Sequence, residues 1–364
     1  MPDVAVFLPN LNGGGAERSL LKVARLLSDD GTETQLVLAN AVGPYMSEVT
    51  PALNVVNLEK SNTIRAVGKL ATYLRRAKPA GLLSGLDHAN VTALIASRLT
   101  LKPLRVVVSV RNTLSAEYAT KQGRKEQIVL ALTRKLYPGA TWITTVSDGV
   151  ADDAAKFLKI DRSKFRTIYN PLLDEDFYTK LEAPVDHPFF QDSRQPSILA
   201  VGRLSGQKDY PTLLKAFGAV RKHRAARLII LGEGPDLESL QALAKELGIS
   251  GEVSFAGFQV NPYPWMKRAD LFVLASKFEG LPGVLIQAIG AGTRVVSTDC
   301  PSGPSEILLQ GQVAPLVPVG DADKLAEAML HQLSTPTPVY SEAVLERFRP
   351  ESCIQAYKEV LLGN

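Results

Sequence analysis

Short apolar runs alternate with amphipathic stretches from one end of this chain to the other, and the alternation restarts once, near residue 197. The first series of runs is DVAVFLP, TETQLVLA, GLLSGL, LRVVVSV and WITTVS. The second is SILAVGRL, ARLIILGEG, EVSFAGF, LFVLAS, TRVVSTD and VAPLVPV. Between them lie stretches of helical period such as AERSLLKVARLL, YPTLLKAFGAVRKH, LESLQALAKELG and DADKLAEAMLHQL. Near-continuous apolar strands separated by helices belong to parallel sheets covered on both faces. The rhythm breaks between about Asn170 and Ser197, where YNPLLDEDFYTKLEAPVDHPFFQDSRQPS is rich in proline and charge and keeps neither period. A length of 364 residues suits two such α/β domains better than one. The pattern predicts domains over 1–172 and 197–345, joined by a linker over 173–196.

Open sheets of this kind bind ligands beyond the carboxyl ends of their strands, so two facing sheets would place an active site in the cleft between them. Three strand-end segments carry suitable chemistry. In Asn12-Gly13-Gly14-Gly15-Ala16-Glu17-Arg18 a strand runs through glycines into a helix, leaving backbone N–H groups and about half a positive charge at the turn. The spacing departs from G-x-G-x-x-G and no acidic residue stands in the ribose-reading place, which argues against NAD. A plain tight turn explains these glycines equally well. In Gly202-Arg203-Leu204-Ser205-Gly206-Gln207-Lys208 two cations follow a strand. A guanidinium fork and an ammonium there would clamp a diphosphate and neutralise charge on a leaving nucleotide. The alternative, two solvated loop cations, fits that position less well. The third segment, SKFEGLPGVLIQA, runs from Ser276 to Ala288. Glu279 is placed to accept hydrogen bonds from sugar hydroxyls, and Pro282 suits the first turn of a helix whose Gly283, Val284 and Leu285 amides face a phosphate. Gln287 lies about two turns further on and could reach a ribose. An acidic residue favouring a helix dipole would explain Glu279 alone, but not the whole run.

In order, and over nearly the whole chain, these segments resemble the large retaining glycosyltransferase family 4, of GT-B architecture. The resemblance is carried by GGGAERSLLKVA, VSDGVADD, TIYNPL, VGRLSGQKDYPTLLKAF, LGEGP, VSFAGF, EGLPGVLIQAIGAGTRVVSTDCPSGPSEIL and FRPESCIQAYKEVL. It implies an α/β protein of two Rossmann-like doubly wound domains facing each other across a cleft. The first would bind the acceptor and take in the final helix, 350–364; the second would bind the nucleotide sugar. Arg203 and Lys208 would hold the donor diphosphate and Glu279 the donor sugar. Gly280, Leu281, Pro282, Gly283, Val284 and Leu285 would form the turn that supplies backbone donors. Gly257, Phe258 and Gln259 would lie near the base, and Gly14 and Gly15 would close over the donor. The reaction implied moves a hexose or N-acetylhexosamine from a nucleotide-diphosphate sugar, UDP-sugars favoured, to a saccharide or polyprenyl-diphosphate-linked saccharide. Retention, no metal and no cofactor go with it, as does a place in building bacterial polysaccharide, glycolipid or lipopolysaccharide.

Two positions depart from the family pattern. Gln287 stands where many members have a second glutamate, and Arg111, followed by Asn112, where many have a histidine. An amide oxygen still accepts a hydrogen bond, so altered nucleotide grip is expected rather than lost chemistry. Arg111 is no general base; it either contacts substrate or closes a strand end. These departures leave open a non-catalytic nucleotide-sugar-binding or scaffold subunit. Further acceptor-side candidates are Asp87 and His88 after the GLLSGL strand, and Glu306 in CPSGPSEIL. A structural histidine and a first-turn helix acid are the bland readings of the last two.

The acidic triplets Asp174–Asp176 and Asp321–Asp323 read as linker and helix cap rather than metal ligands. Cys300 and Cys353 make no disulfide framework, and the opening segment reads as a buried strand rather than a leader, so a cytoplasmic setting is expected. Charge is uneven. Residues 1–170 carry 23 Lys and Arg against 14 Asp and Glu, a balance of +9, and the remainder 18 against 23, a balance of −5. IRAVGKLATYLRRAK (Arg65, Lys69, Arg76) and KQGRKEQIVLALTRK (Lys121, Arg124, Lys125, Arg134, Lys135) are basic and amphipathic. They suggest peripheral contact with an anionic membrane at its inner face. No aromatic platform or known motif supports nucleic acid.

Overall fold

The computed structural model describes residues 2–12, 15–100, 102–120, 123–191 and 194–363. The chain divides into two compact units, Met1–Pro171 with Pro350–Asn364, and Leu172–Arg349.

Among the described residues the first unit holds a seven-stranded sheet: β1 (Val4–Leu8), β2 (Thr34–Leu38), β3 (Asn54–Asn57), β4 (Gly81–Gly85), β5 (Arg105–Val110), β6 (Trp142–Thr145) and β7 (Phe165–Thr167). Their order is β3-β2-β1-β4-β5-β6-β7, and every pairing is parallel. Burial explains the apolar runs: β1 and β4 are covered at every position because helices lie on both faces. The two strands absent from the sequence reading are the edge strands β3 and β7, four and three residues long and only partly buried. The terminal helix Pro350–Leu362 packs on β4, β5 and the helix Gly15–Asp29. Gly81 permits that approach, since a Cβ there would stand 2.7 Å from the Leu361 carbonyl oxygen. Arg105 Nε donates to the Val360 carbonyl at 3.3 Å, and Lys358 pairs with Asp30 at 2.7 Å.

The second unit carries β8 (Ser197–Val201), β9 (Arg227–Leu231), β10 (Val253–Phe255), β11 (Leu271–Leu274), β12 (Arg294–Thr298) and β13 (Leu316–Val317). They pair in parallel in the order β10-β9-β8-β11-β12-β13. Phe217, Leu213, Ile230, Val273 and Met329 are fully or almost fully buried in one core between the sheet and its helices.

The stretch read as a periodless linker forms structure within the second unit over residues 174–190. Asp174 caps a helix over Glu175–Leu181, its carboxylate accepting from the Phe177 amide at 3.0 Å. Phe177 is buried edge-on against Tyr263, ring centroids 4.9 Å apart. Further along, His187 stands against Phe189, Phe190 and Trp265, with Arg227 over Phe189 and Arg268 over Phe190. A seven-residue helix is too short to display a period, and these anchors are aromatic residues at irregular spacing.

Candidate active site

Strand order reverses between β1 and β4 in the first unit and between β8 and β11 in the second, and ligands of open sheets collect at such switch points. In the second unit the loop after β8 is 202–208. It is seated by two glycines of LGEGP: a Cβ on Gly232 would lie 2.0 Å from the Gly202 oxygen, and one on Gly234 would lie 2.1 Å from the Leu204 oxygen. Gly232 also has φ +137°, so no other residue fits there without strain. The loop is then joined to the one after β11. Gln207 Nε2 donates to the Phe278 carbonyl at 2.9 Å, and the Lys277 amide donates to the Gln207 carbonyl at 2.8 Å.

Across this junction Lys208 Nζ donates to Glu279 Oε1 at 2.6 Å, and Ser276 Oγ donates to the same oxygen at 2.6 Å. Both members of the pair are largely buried, with side-chain exposures of 17% and 9%. The sequence reading assigned Lys208 to phosphate and Glu279 to sugar as separate groups; the structure brings them into contact. Arg203 remains exposed and, among the described residues, makes no side-chain hydrogen bond or ion pair, which leaves its guanidinium available to an anion. Beside them Gly280, Leu281 and Pro282 lead into the helix Gly283–Gly290. The Leu285 amide turns back onto the Pro282 carbonyl at 3.0 Å, so the outward donors at this helix start are those of Gly283 and Val284 rather than all three. The turn is held from behind by Gly303, at φ +85° and ψ −67°, where a Cβ would stand 2.5 Å from Pro282 Cδ. Cys300 lies in the same neighbourhood, its thiol pushed up to about 12 by burial and then by the Glu279 charge. Sequence reasoning singled out neither Gly303 nor the contact of Ser276 with Glu279.

At the end of β10, Gly257 (φ +71°) accepts the Gly232 amide at 2.8 Å, Gln259 folds back on the Ala256 carbonyl at 2.9 Å, and Phe258 is 65% exposed. A bare aromatic ring at a strand end of the switch-point sheet offers a stacking face. Gln287 Nε2 donates to Tyr263 Oη at 3.4 Å, which leaves its carbonyl oxygen for a hydroxyl. Glu306 sits in the short helix Pro304–Ile307, and Arg347 holds its backbone carbonyl at 3.3 Å. Asp321 caps the helix Ala322–Ser334 through the Lys324 amide at 2.9 Å, and Asp176 pairs with Lys180 at 2.7 Å. Among the described residues no group of three or more His, Cys, Asp or Glu side chains could hold a metal ion.

In the first unit the candidates separate. Asp87 opens the helix Asp87–Arg98 and accepts from Tyr118 Oη at 2.9 Å; burial, then the Asp87 charge, raises the Tyr118 hydroxyl well above its ordinary value. Leu86 just before it has φ +77°, a costly conformation for a branched residue at a strand end. His88 is exposed, and its carbonyl accepts from Thr92 Oγ1 at 2.9 Å. Arg111 donates to Ser19 Oγ, Asn170 Oδ1, Ser109 Oγ and Tyr357 Oη. It ties strand β5 to the first helix, the 168–170 segment and the terminal helix, so its donors serve the fold. Asn112 follows in the bend and is partly buried. Gly15 begins the first helix with open space around it, whereas Gly13, Gly14 and Lys121 lie outside the described residues.

A parallel doubly wound unit with a cation, a paired lysine and carboxylate, and a helix start at its switch point belongs to the anion-binding α/β class of nucleotide-dependent proteins. Two family models match the chain: Glycosyltransferase Family 4 over residues 13–174 and Glycosyl transferases group 1 over residues 195–335. The chain belongs to the family 4 glycosyltransferases, enzymes of GT-B architecture. Among curated relatives it is similar to N-acetylgalactosamine-N,N'-diacetylbacillosaminyl-diphospho-undecaprenol 4-alpha-N-acetylgalactosaminyltransferase of Campylobacter jejuni, at 29% identity over 90% of this chain and 89% of that one. It is similar to the lipopolysaccharide core biosynthesis glycosyltransferase LpsE of Rhizobium meliloti at 31% identity, over 51% of this chain and 53% of that one. Among solved structures, Anabaena Alr3699/HepE in complex with UDP and glucose shares the fold at TM-score 0.80 and 18% identity, over 99% of each chain.

Proposed function

We propose that this glycosyltransferase moves a hexose or N-acetylhexosamine from a UDP-sugar to a saccharide carried on a polyprenyl diphosphate, with retention and without metal or cofactor, in assembling a bacterial polysaccharide or lipopolysaccharide. The observation that carries the reading is the Lys208–Glu279 pair beside the exposed Arg203 and the Gly283–Val284 amides at the β8/β11 switch point. Arg203 and Lys208 take diphosphate oxygens and stabilise the leaving nucleotide where charge develops. Glu279 accepts hydrogen bonds from the sugar, and the leaving phosphate takes the acceptor proton in a front-face transfer. The Campylobacter relative, named for a diphospho-undecaprenol acceptor, and the UDP and glucose bound in the Anabaena neighbour support the choice of acceptor and donor classes.

A peripheral seat on the inner face of the plasma membrane follows the same line. Helices Thr63–Ala77 and Arg124–Leu136 both pack against Asp87–Arg98 in the first unit. They expose Arg65, Lys69, Arg75, Arg76, Arg124, Lys125, Arg134 and Lys135, with Ile64 and Ile128 also bare. Each basic residue near an anionic leaflet contributes about 1 kcal/mol. Among the described residues no helix is long and apolar enough to cross a membrane.

Thermal-shift screening of nucleotide sugars identifies the donor, because a ligand bound only by the folded state raises its melting temperature. With that donor, Arg203→Ala and Lys208→Ala are each expected to lower transfer about tenfold or more. Near-normal turnover in both refutes the site. Chelator leaves the rate unchanged; abolition restored by manganese refutes the metal-free reading.

A further inference from the structure

Ser276 lies just past the last paired residue of β11, so it contributes nothing to the ladder, yet it is completely buried. Its hydroxyl donates to Glu279 Oε1 at 2.6 Å, and its carbonyl accepts from Thr298 Oγ1, at the end of the neighbouring strand, at 2.7 Å. Two donors of different character therefore reach Glu279 Oε1. Lys208 reaches it on a flexible four-carbon stem from the loop that also carries Arg203. Ser276 reaches it from a short side chain walled in on every side. An incoming diphosphate draws an ammonium toward its oxygens, and a stem of that length can follow. A buried hydroxyl cannot.

We propose that Ser276 is a positioning residue for sugar recognition: its hydroxyl keeps the Glu279 carboxylate in place while Lys208 passes from that carboxylate to the donor's diphosphate. The proposal rests on the donor-site reading given above. It makes the two halves of the donor respond differently. Nucleoside diphosphate alone meets Arg203, Lys208 and helix amides and has no use for Ser276. The sugar meets Glu279, whose aim depends on the hydroxyl. Without it, the carboxylate loses a fixed, buried donor, and the reacting carbon is held less well.

The test compares UDP and the donor UDP-sugar on wild type, Ser276→Ala, Ser276→Cys and Ser276→Thr, by calorimetric titration and steady-state transfer. Ser276→Ala is expected to bind UDP within about twofold of wild type, which also reports a folded second unit, and to lose about tenfold in kcat and in the preference for UDP-sugar over UDP. Ser276→Cys, near in size but a weak donor, behaves like the alanine variant, and Ser276→Thr, which keeps the hydroxyl, recovers most of the loss. Unchanged sugar preference and kcat in Ser276→Ala overturn the proposal, as does a loss of UDP affinity equal to the loss for UDP-sugar, which marks a merely structural serine. Failure of wild type to bind any nucleoside diphosphate overturns instead the donor-site reading on which it stands.

Discussion

The two units put charged groups at strand ends to opposite uses. In the second unit, Arg203 and the Lys208–Glu279 pair stand at the carboxyl ends of strands flanking the switch point, one cation exposed and the other paired with a carboxylate. In the first unit, Arg111 also ends a strand, yet Ser19, Ser109, Asn170 and Tyr357 absorb its donors. The difference lies in what else arrives at the strand end. The terminal helix belongs to the first unit and brings Tyr357 to Arg111, whereas among the described residues Arg203 meets no side-chain partner. A strand-end cation becomes a site only where the fold leaves it polar work undone; otherwise it becomes a tie.

Three substitutions sharpen or break that contrast. The largest effect is expected from Gly303→Ala. A Cβ at φ +85°, ψ −67° and 2.5 Å from Pro282 Cδ should cost about 3 kcal/mol and shift the turn, weakening nucleotide binding about tenfold or more. Calorimetric titration with UDP measures it, and unchanged affinity would show that the turn's shape does not matter. Arg111→Ala should lower stability by about 2 kcal/mol, since it strands partly buried partners, while leaving the UDP affinity within about twofold. Differential scanning calorimetry reads the first quantity; a large loss of affinity at full stability would instead make Arg111 a substrate group. The smallest effect concerns His187, whose pKa is lowered by burial and then by the Arg227 charge. The native state thus favours the neutral ring, so its contribution is complete above the unfolded value of about 6.5 and is lost as pH falls toward the lower folded value. The melting temperature of wild type should fall more between pH 7 and 5 than that of His187→Phe; parallel curves would remove this aromatic anchor of the 183–190 segment as a pH-sensitive element.

Glu279, Lys208 and Arg203 were legible as strand-end chemistry because apolar runs mark where strands stop and cations or carboxylates interrupt them at once. Other features left no such mark. Gly303 resembles any turn glycine until its φ and its distance to Pro282 are known. Arg111 could be read either way, because Asn170 and Tyr357 are 59 and 246 residues distant in sequence. The helix Glu175–Leu181 leaves no mark because seven residues show no period, and its Phe177 packs against Tyr263, distant in sequence.

By itself the sequence determined two parallel α/β layers and the residue types at their strand ends, since both follow from local periodicity and from which side chains interrupt it. Only the tertiary structure decided which of those groups meet. Ser276, Lys208 and Glu279 share one oxygen because β8 lies beside β11, a neighbourhood made by non-local pairing that no window of sequence contains.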